Sequence, residues 1–139
     1  MTDTRHFVIP GEPQGKGRPR FTRSGHTYTP DKTTAYEGIV RYLYTQQCDG
    51  MFPKDCPLVV TIEAVFATPK SDSVRKRQEK LCGLLRPTKK PDTDNLAKII
   101  CDALNGVVYY DDAQITTLHV IKRYGVEPCV KVWISKEDI

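Results

Sequence analysis

Hydrophobic and polar positions change period several times along the chain, and each change marks an element. His6–Pro10 (HFVIP) is a short apolar run closed by proline, which predicts an N-terminal strand. Gly11–Pro30 then breaks the pattern. Three glycines and two prolines fall within Gly11–Pro19 alone, so regular helix is excluded and a loop is expected. Beyond it Tyr36, Ile39, Val40, Leu43 and Tyr44 recur at i, i+3, i+4, i+7 and i+8, predicting a helix over Asp31–Gln47 with Asp31 as its cap. Leu58–Phe66 (LVVTIEAVF) is β-branched and aromatic without a breaker and reads as a strand. Lys70–Leu85 is strongly charged and its apolar spacing is thin, so a helix there has weak support. Asp94–Asn105 is the clearest helix: Leu96, Ile99, Ile100, Ala103 and Leu104 form one apolar face, and Asn105-Gly106 supplies a stop. Gln114–Tyr124 and Cys129–Ser135 read as strands joined by a Gly125–Pro128 turn.

The resulting order is β-loop-α-β-α-α-β-β. Strands and helices are segregated enough to predict an α+β fold, a mixed β-sheet flanked by helices, in a single domain over residues 1–139. A chain of 139 residues can bury a proper core without staples, and 27% charged against 39% hydrophobic residues is a globular balance. No apolar run approaches the ~20 residues that would span a bilayer, and the first residues lack a cationic segment followed by an apolar stretch. A soluble, cytoplasmic protein with no membrane partner is expected. Cys48, Cys56, Cys82, Cys101 and Cys129 are odd in number and widely spread, with no metal-ligand spacing, so free thiols are expected rather than disulfides or a zinc site.

The net charge of +4 hides an asymmetry. Residues 1–90 carry 16 Lys/Arg against 9 Asp/Glu, whereas residues 91–139 carry 5 against 8. A basic part beside an acidic part suggests a polyanion held next to a carboxylate site. The basic candidates are Lys16, Arg18, Arg20 and Arg23, interleaved with Phe21, His26 and Tyr28, and a second group of Arg75, Lys76, Arg77 and Lys80. Arg and Lys would contact phosphates while an aromatic ring stacks on an exposed base. Either group, taken alone, could equally be a solvated surface.

The acidic part is more informative. Asp94, Lys98 and Asp102 recur at i, i+4 and i+8, on a stripe pointing away from the apolar face. Singly, each aspartate has a plain structural use: Asp92 or Asp94 as a helix cap, Asp94–Lys98–Asp102 as a surface ion-pair ladder, Asp111-Asp112 as a turn. Together they exceed those uses, since one cap needs one aspartate and two stand at i, i+2. If the strand after Asp112 packs beside the helix start, Asp92, Asp94 and Asp112 converge, and carboxylates that close repel unless a cation intervenes. Oxygen donors without His or Cys favour a hard divalent ion, Mg²⁺ with Mn²⁺ as a substitute.

The segment PDTDNLAKIICDALNGVVYYDDAQI closely resembles the signature of the RusA family of Holliday junction (crossover junction) endodeoxyribonucleases. That pattern, Asp-x-Asp-Asn-Leu-x-Lys, then Asp-Ala-Leu, then Asp-Asp-x-Gln, is filled by Asp92, Asp94, Asn95, Leu96, Lys98, Asp102, Ala103, Leu104, Asp111, Asp112 and Gln114. The resemblance implies that Asp92, Asp94 and Asp112 are metal-binding catalytic carboxylates, with Asp111 as an accessory, and that Lys98 is an essential lysine nearby. It also implies a Mg²⁺-dependent homodimer that cuts four-way DNA junctions by paired symmetric nicks, leaving a 5′-phosphate and a 3′-hydroxyl. The competing readings are a non-catalytic DNA-binding protein whose aspartates are caps and turns, and a metal-dependent nuclease of other branched DNA. A small-molecule phosphohydrolase fits less well, because a nucleotide would not need so large a basic surface.

Overall fold

Strand Arg5–Pro10 (β1) opens a computed structural model that describes residues 3–137. A short hairpin of Arg20–Phe21 (β2) and Thr27–Tyr28 (β3) follows, then helix Asp31–Gln47 (α1) and strand Leu58–Ala67 (β4). Helices Val74–Leu81 (α2) and Thr93–Ala103 (α3) lead to a 3-10 turn at Asp112–Gln114. The chain closes with strands Ile115–Gly125 (β5) and Cys129–Lys136 (β6). The main sheet has the order β1-β6-β4-β5. β6 runs antiparallel to both β1 and β4, whereas β4 and β5 are parallel. A parallel pair needs a long crossover, and α2 and α3 together supply it. The fold is thus α+β with a mixed sheet.

Side chains alternate along the inner strands as their period of two requires. Leu58, Val60 and Ile62 of β4 are buried, as are Val130, Val132 and Ile134 of β6 and Phe7 and Ile9 of β1. They meet Tyr36, Val40 and Tyr44 of α1 and Ile99, Ile100 and Ala103 of α3 in one core. Each such side chain, fully buried, contributes about 1.5–3 kcal/mol of transfer free energy. Leu96 joins Ala64, Phe66 and Tyr124 in a smaller cluster at the other end of α3. Two apolar clusters therefore clamp α3 along its length, and its polar stripe is left as the free face.

Two stretches differ from the periodicity reading. The loop expected over Gly11–Pro30 contains the β2–β3 hairpin, paired Arg20 to Tyr28 and Phe21 to Thr27. Its tight end turns at Gly25, whose φ of 88° lies in the left-handed region that glycine adopts without strain. The charged stretch Lys70–Leu85 yields only the two-turn helix α2, begun by Ser73, whose side chain accepts from the Lys76 amide at 3.2 Å. All five cysteines are free. Among the described residues no helix is long and apolar enough to cross a membrane.

Candidate active site and basic arm

Helix α3 begins at Asp92, the residue in N-cap position, with extended backbone (φ −76°, ψ 164°). Its carboxylate makes no cap hydrogen bond; Oδ1 accepts instead from Asn95 Nδ2 at 2.9 Å. Two residues on, Asp94 is exposed. Among the described residues neither Asp94 nor Lys98 enters an ion pair, so the ladder that would have explained the stripe is not formed. Asp102, one turn beyond Lys98, is half-buried and bonded to Lys16, with Nζ 3.2 Å from Oδ2. Capping and pairing along the stripe therefore account for little of this acidity.

The second group of carboxylates is held by the loop after α3. Gly106, with φ of 75°, turns the chain, and its amide donates to the Tyr109 carbonyl at 2.8 Å. Tyr109 is fully buried and its hydroxyl donates to the Cys101 carbonyl at 2.6 Å. Burial pushes the Cys101 thiol up to about 12, so it stays protonated at neutral pH. Gln114 then fixes the acidic turn. Its Oε1 accepts from the amides of Tyr110 (2.9 Å) and Asp111 (3.3 Å), and its Nε2 donates to the carbonyls of Pro53 (3.0 Å) and Cys56 (3.1 Å). Asp112 is tied back to the end of α3, its amide donating to Asn105 Oδ1 at 2.8 Å. Partial burial raises the Asp112 carboxyl above the usual range, and the neighbouring Asp111 and Asp102 carboxylates raise it further.

Asp94, Lys98, Asp102 and Asp112 line one hollow of about 480 Å³, floored by Ala97 and Cys101 of α3 and walled by Ile115, Thr116 and Leu118 of β5. Sequence spacing suggested that Asp92, Asp94 and Asp112 would meet at the helix start. The structure brings Asp112 beside the last turns of α3 instead, near Asp102, because Asn105 anchors it there. Asp94 stands two turns before Asp102 on α3, about 12 Å along the axis, and lines the same hollow. Asp92 lies on the other side of the helix start, in the wall of a neighbouring cleft. Among the described residues no three His, Cys, Asp or Glu side chains are gathered tightly enough to cage an ion. The donor set nonetheless suits Mg²⁺. It is all oxygen and mutually repulsive around Asp112, and Mg²⁺ takes only one or two carboxylates, completing its shell with water and phosphate.

That neighbouring cleft, about 710 Å³, runs between the segment Pro13–Arg20 and the starts of α1 and α3, with Lys32, Lys90 and Asp92 on its walls. From it projects the hairpin, a basic arm. Arg18, Arg20 and Arg23 are exposed, and Phe21 and Tyr28 among them are 75% and 48% exposed. Lys16, expected among the phosphate contacts, is drawn inward: its side chain is 18% exposed and paired to both Glu37 (2.7 Å) and Asp102. The second basic group also divides. Arg75 and Lys76 are exposed and Arg77 half-buried on α2. Lys80 is buried against Asp72 at 2.7 Å with its ammonium 4.6 Å from the centre of the Tyr124 ring, so it belongs to the interior. Lys32 and Lys90, which composition did not single out, join the basic cleft. Asn105 and Gln114 are the positioning residues that spacing could not reveal, although Gln114 already stood in the Asp-Asp-x-Gln run.

A carboxylate hollow and a basic arm on adjoining faces of one helix, joined where Lys16 pairs with Asp102, are the parts expected of a protein that holds a polyanion beside a hydrolytic centre. Comparison with known proteins agrees. The family model for the endodeoxyribonuclease RusA matches residues 10–135, nearly the whole chain, including every residue of the hollow. The chain belongs to the RusA endodeoxyribonuclease family. It is also 37% identical to the uncharacterized protein YqaN of Bacillus subtilis strain 168, over 96% of this chain and 97% of that protein.

Proposed function

We propose that this protein is a divalent-metal-dependent, structure-selective endonuclease that resolves four-way DNA junctions by paired symmetric nicks in recombination and repair. The observation that carries the reading is the shared hollow of Asp94, Lys98, Asp102 and Asp112, with a lysine that is unpaired among the described residues, adjoining a cleft lined by the exposed Arg18 and Arg20. Asp94 at one end of the hollow and Asp112 beside Asp102 at the other would ligate Mg²⁺ or Mn²⁺, with water and phosphate completing the shell, whereas Asp92 and Asp111 line neighbouring clefts. A bound ion would supply Lewis acidity at the scissile phosphate and make a water a better nucleophile at neutral pH.

The chain's own residues do the rest. Arg18, Arg20 and Arg23 neutralise backbone phosphates, and Phe21 offers a ring on which a base exposed at a junction centre can stack. Arg75 and Lys76, exposed on α2, offer a second set of phosphate contacts. The Lys98 ammonium, one turn from Asp94, stabilises charge gathering on the phosphate oxygens as water attacks phosphorus. The P–O3′ bond breaks, the 3′-oxygen takes a proton, and a 5′-phosphate and a 3′-hydroxyl result. Each chain offers one such hollow, whereas resolution needs two cuts on symmetric strands, so the working unit is a two-fold homodimer matching the symmetry of the junction.

The test is cleavage of a synthetic four-way junction beside flap and duplex controls. Paired, ligatable nicks confined to the junction support the reading. Equal cutting of flaps would make the protein a general nuclease of branched DNA, and metal-independent binding without any cutting would make it a DNA-binding module.

A further inference from the structure

We infer that Lys16 is a positioning residue that locks the basic arm to the carboxylate helix, so that DNA seated on the arm meets the hollow in a fixed register. The inference rests on the endonuclease reading above. Gly15-Lys16-Gly17 threads between the first turns of α1 and α3 with no room to spare. A Cβ on Gly15 would stand 2.8 Å from Pro91 Cβ and 3.1 Å from Asn95 Cβ, and one on Gly17 would stand 2.6 Å from Thr33 Oγ1. Two backbone amides stitch the segment down, one to each helix. The Lys16 amide donates to the Asn95 carbonyl at 3.2 Å, and the Gly17 amide to Thr33 Oγ1 at 3.0 Å.

The Lys16 side chain completes the lock. Its ammonium lies between Glu37 of α1, at 2.7 Å, and Asp102 of α3, at 3.2 Å, with the Glu37 side chain only 13% exposed. Charge-assisted bonds of this kind are shorter and stronger than neutral ones, and partial burial protects them from salt. Two residues later the chain emerges as Arg18, the first exposed residue of the arm. A Gly- and Pro-rich segment would otherwise leave the arm free to swing. Here its base is fixed to the helix that carries Asp94, Lys98 and Asp102. Without Lys16, Glu37 and Asp102 would face each other unneutralised and the arm's root would loosen. An arm that swings still binds phosphates but delivers the scissile one imprecisely, and a misplacement of about 1 Å can cost ~10²-fold in rate.

The test compares wild type, Lys16→Met and Lys16→Arg on a labelled synthetic four-way junction. Affinity is measured in EDTA at several salt concentrations, single-turnover cleavage with Mg²⁺ at saturating protein, and amide hydrogen exchange over residues 11–30 without DNA. For Lys16→Met we expect affinity within ~3-fold and an unchanged salt slope, a single-turnover rate lower by ~10–100-fold, cuts spread over neighbouring phosphodiesters, and faster exchange at the arm's root. Lys16→Arg, which can still bridge both carboxylates, should recover most of the rate and the protection. A salt slope shallower by about one with a normal saturated rate would make Lys16 a phosphate contact and overturn the inference. Unchanged exchange in Lys16→Met would overturn it as well. Should Lys16→Met fail to fold, Glu37→Gln replaces it: a partial loss of rate at unchanged affinity supports the lock, and a wild-type rate contradicts it. If wild type itself cuts no DNA, it is the endonuclease reading that fails, while hydrogen exchange still decides whether Lys16 holds the arm.

Discussion

The two sides of α3 share one helix and have opposite chemistry. On the β5 side, Asp94, Asp102 and Asp112 crowd a hollow whose one free cation among the described residues is Lys98. On the arm side, arginines and lysines line a cleft that Asp92 alone makes acidic. The hollow carries more negative charge than its local hydrogen bonds use, and burial with like charge lifts the Asp112 carboxyl. Among the described residues the arm's exposed aromatic and cationic groups have no ion-pair partner, and its root is ion-paired through Lys16. Under the proposed function the difference is a division of labour, in which one side would hold the nucleic acid and the other would act on it. Substitutions on the two sides should then separate affinity from rate.

The largest effect is expected at Lys98. Lys98→Gln should lower single-turnover cleavage by ~10²–10³-fold, as removing one donor from a developing oxyanion does, with junction affinity in EDTA unchanged. An equal loss of affinity would merge the two sides. Lys80→Met sharpens the contrast between basic segments that look alike in sequence. It strands Asp72 in the interior and should cost about 3 kcal/mol of unfolding free energy by denaturant titration, leaving the salt dependence of DNA binding as it was. Replacing Arg18, Arg20 and Arg23 together by alanine should weaken junction binding ~30–100-fold and make the salt slope shallower by about three, with the saturated cleavage rate close to wild type.

The smallest effect concerns stability. A carboxyl whose pKa is raised by folding is disfavoured in its charged form, so Asp112 penalises the fold at neutral pH. That penalty disappears as pH falls below the ordinary carboxylate range, where the folded and unfolded chains are both protonated. Metal-free Asp112→Asn should therefore melt slightly higher than wild type at pH 7 and equally at pH 3 by calorimetry. A lower melting temperature at pH 7 would mean that Asp112 holds its turn through its own hydrogen bonds rather than straining it.

The fold was largely legible because its apolar periods are clean. The stripe from Tyr36 to Tyr44, the β-branched run of β4 and the face from Leu96 to Leu104 each match the element observed. The hairpin at Arg20–Tyr28 was not legible. Its strands are two residues long and exposed on both faces, so no alternation could announce them. In the site, spacing led to the expectation that Asp92, Asp94 and Asp112 converge near Lys98, whereas Asp94, Lys98 and Asp112 share a hollow with Asp102 and Asp92 lines the neighbouring cleft. Where Asp112 lies depends on Asn105, which accepts from its amide, and on Gln114, which bonds to the backbone of Pro53 and Cys56 far off in the chain. Composition likewise could not tell Arg18 from Lys16 or Arg75 from Lys80. Whether a cation reaches solvent depends on an acidic partner supplied by another element, Glu37 in one case and Asp72 in the other.

The central claim is tested most directly by cutting a labelled synthetic four-way junction in Mg²⁺ with wild-type protein and Asp94→Asn in parallel, alongside duplex and flap controls. Binding is measured separately in EDTA. The account predicts symmetric, ligatable nicks by wild type on the junction, abolished in Asp94→Asn while affinity stays within ~3-fold, since phosphate contacts on the arm supply the binding. Binding by both proteins with no cleavage of any substrate would contradict it, returning the aspartates to caps and turns and leaving a protein that only holds DNA.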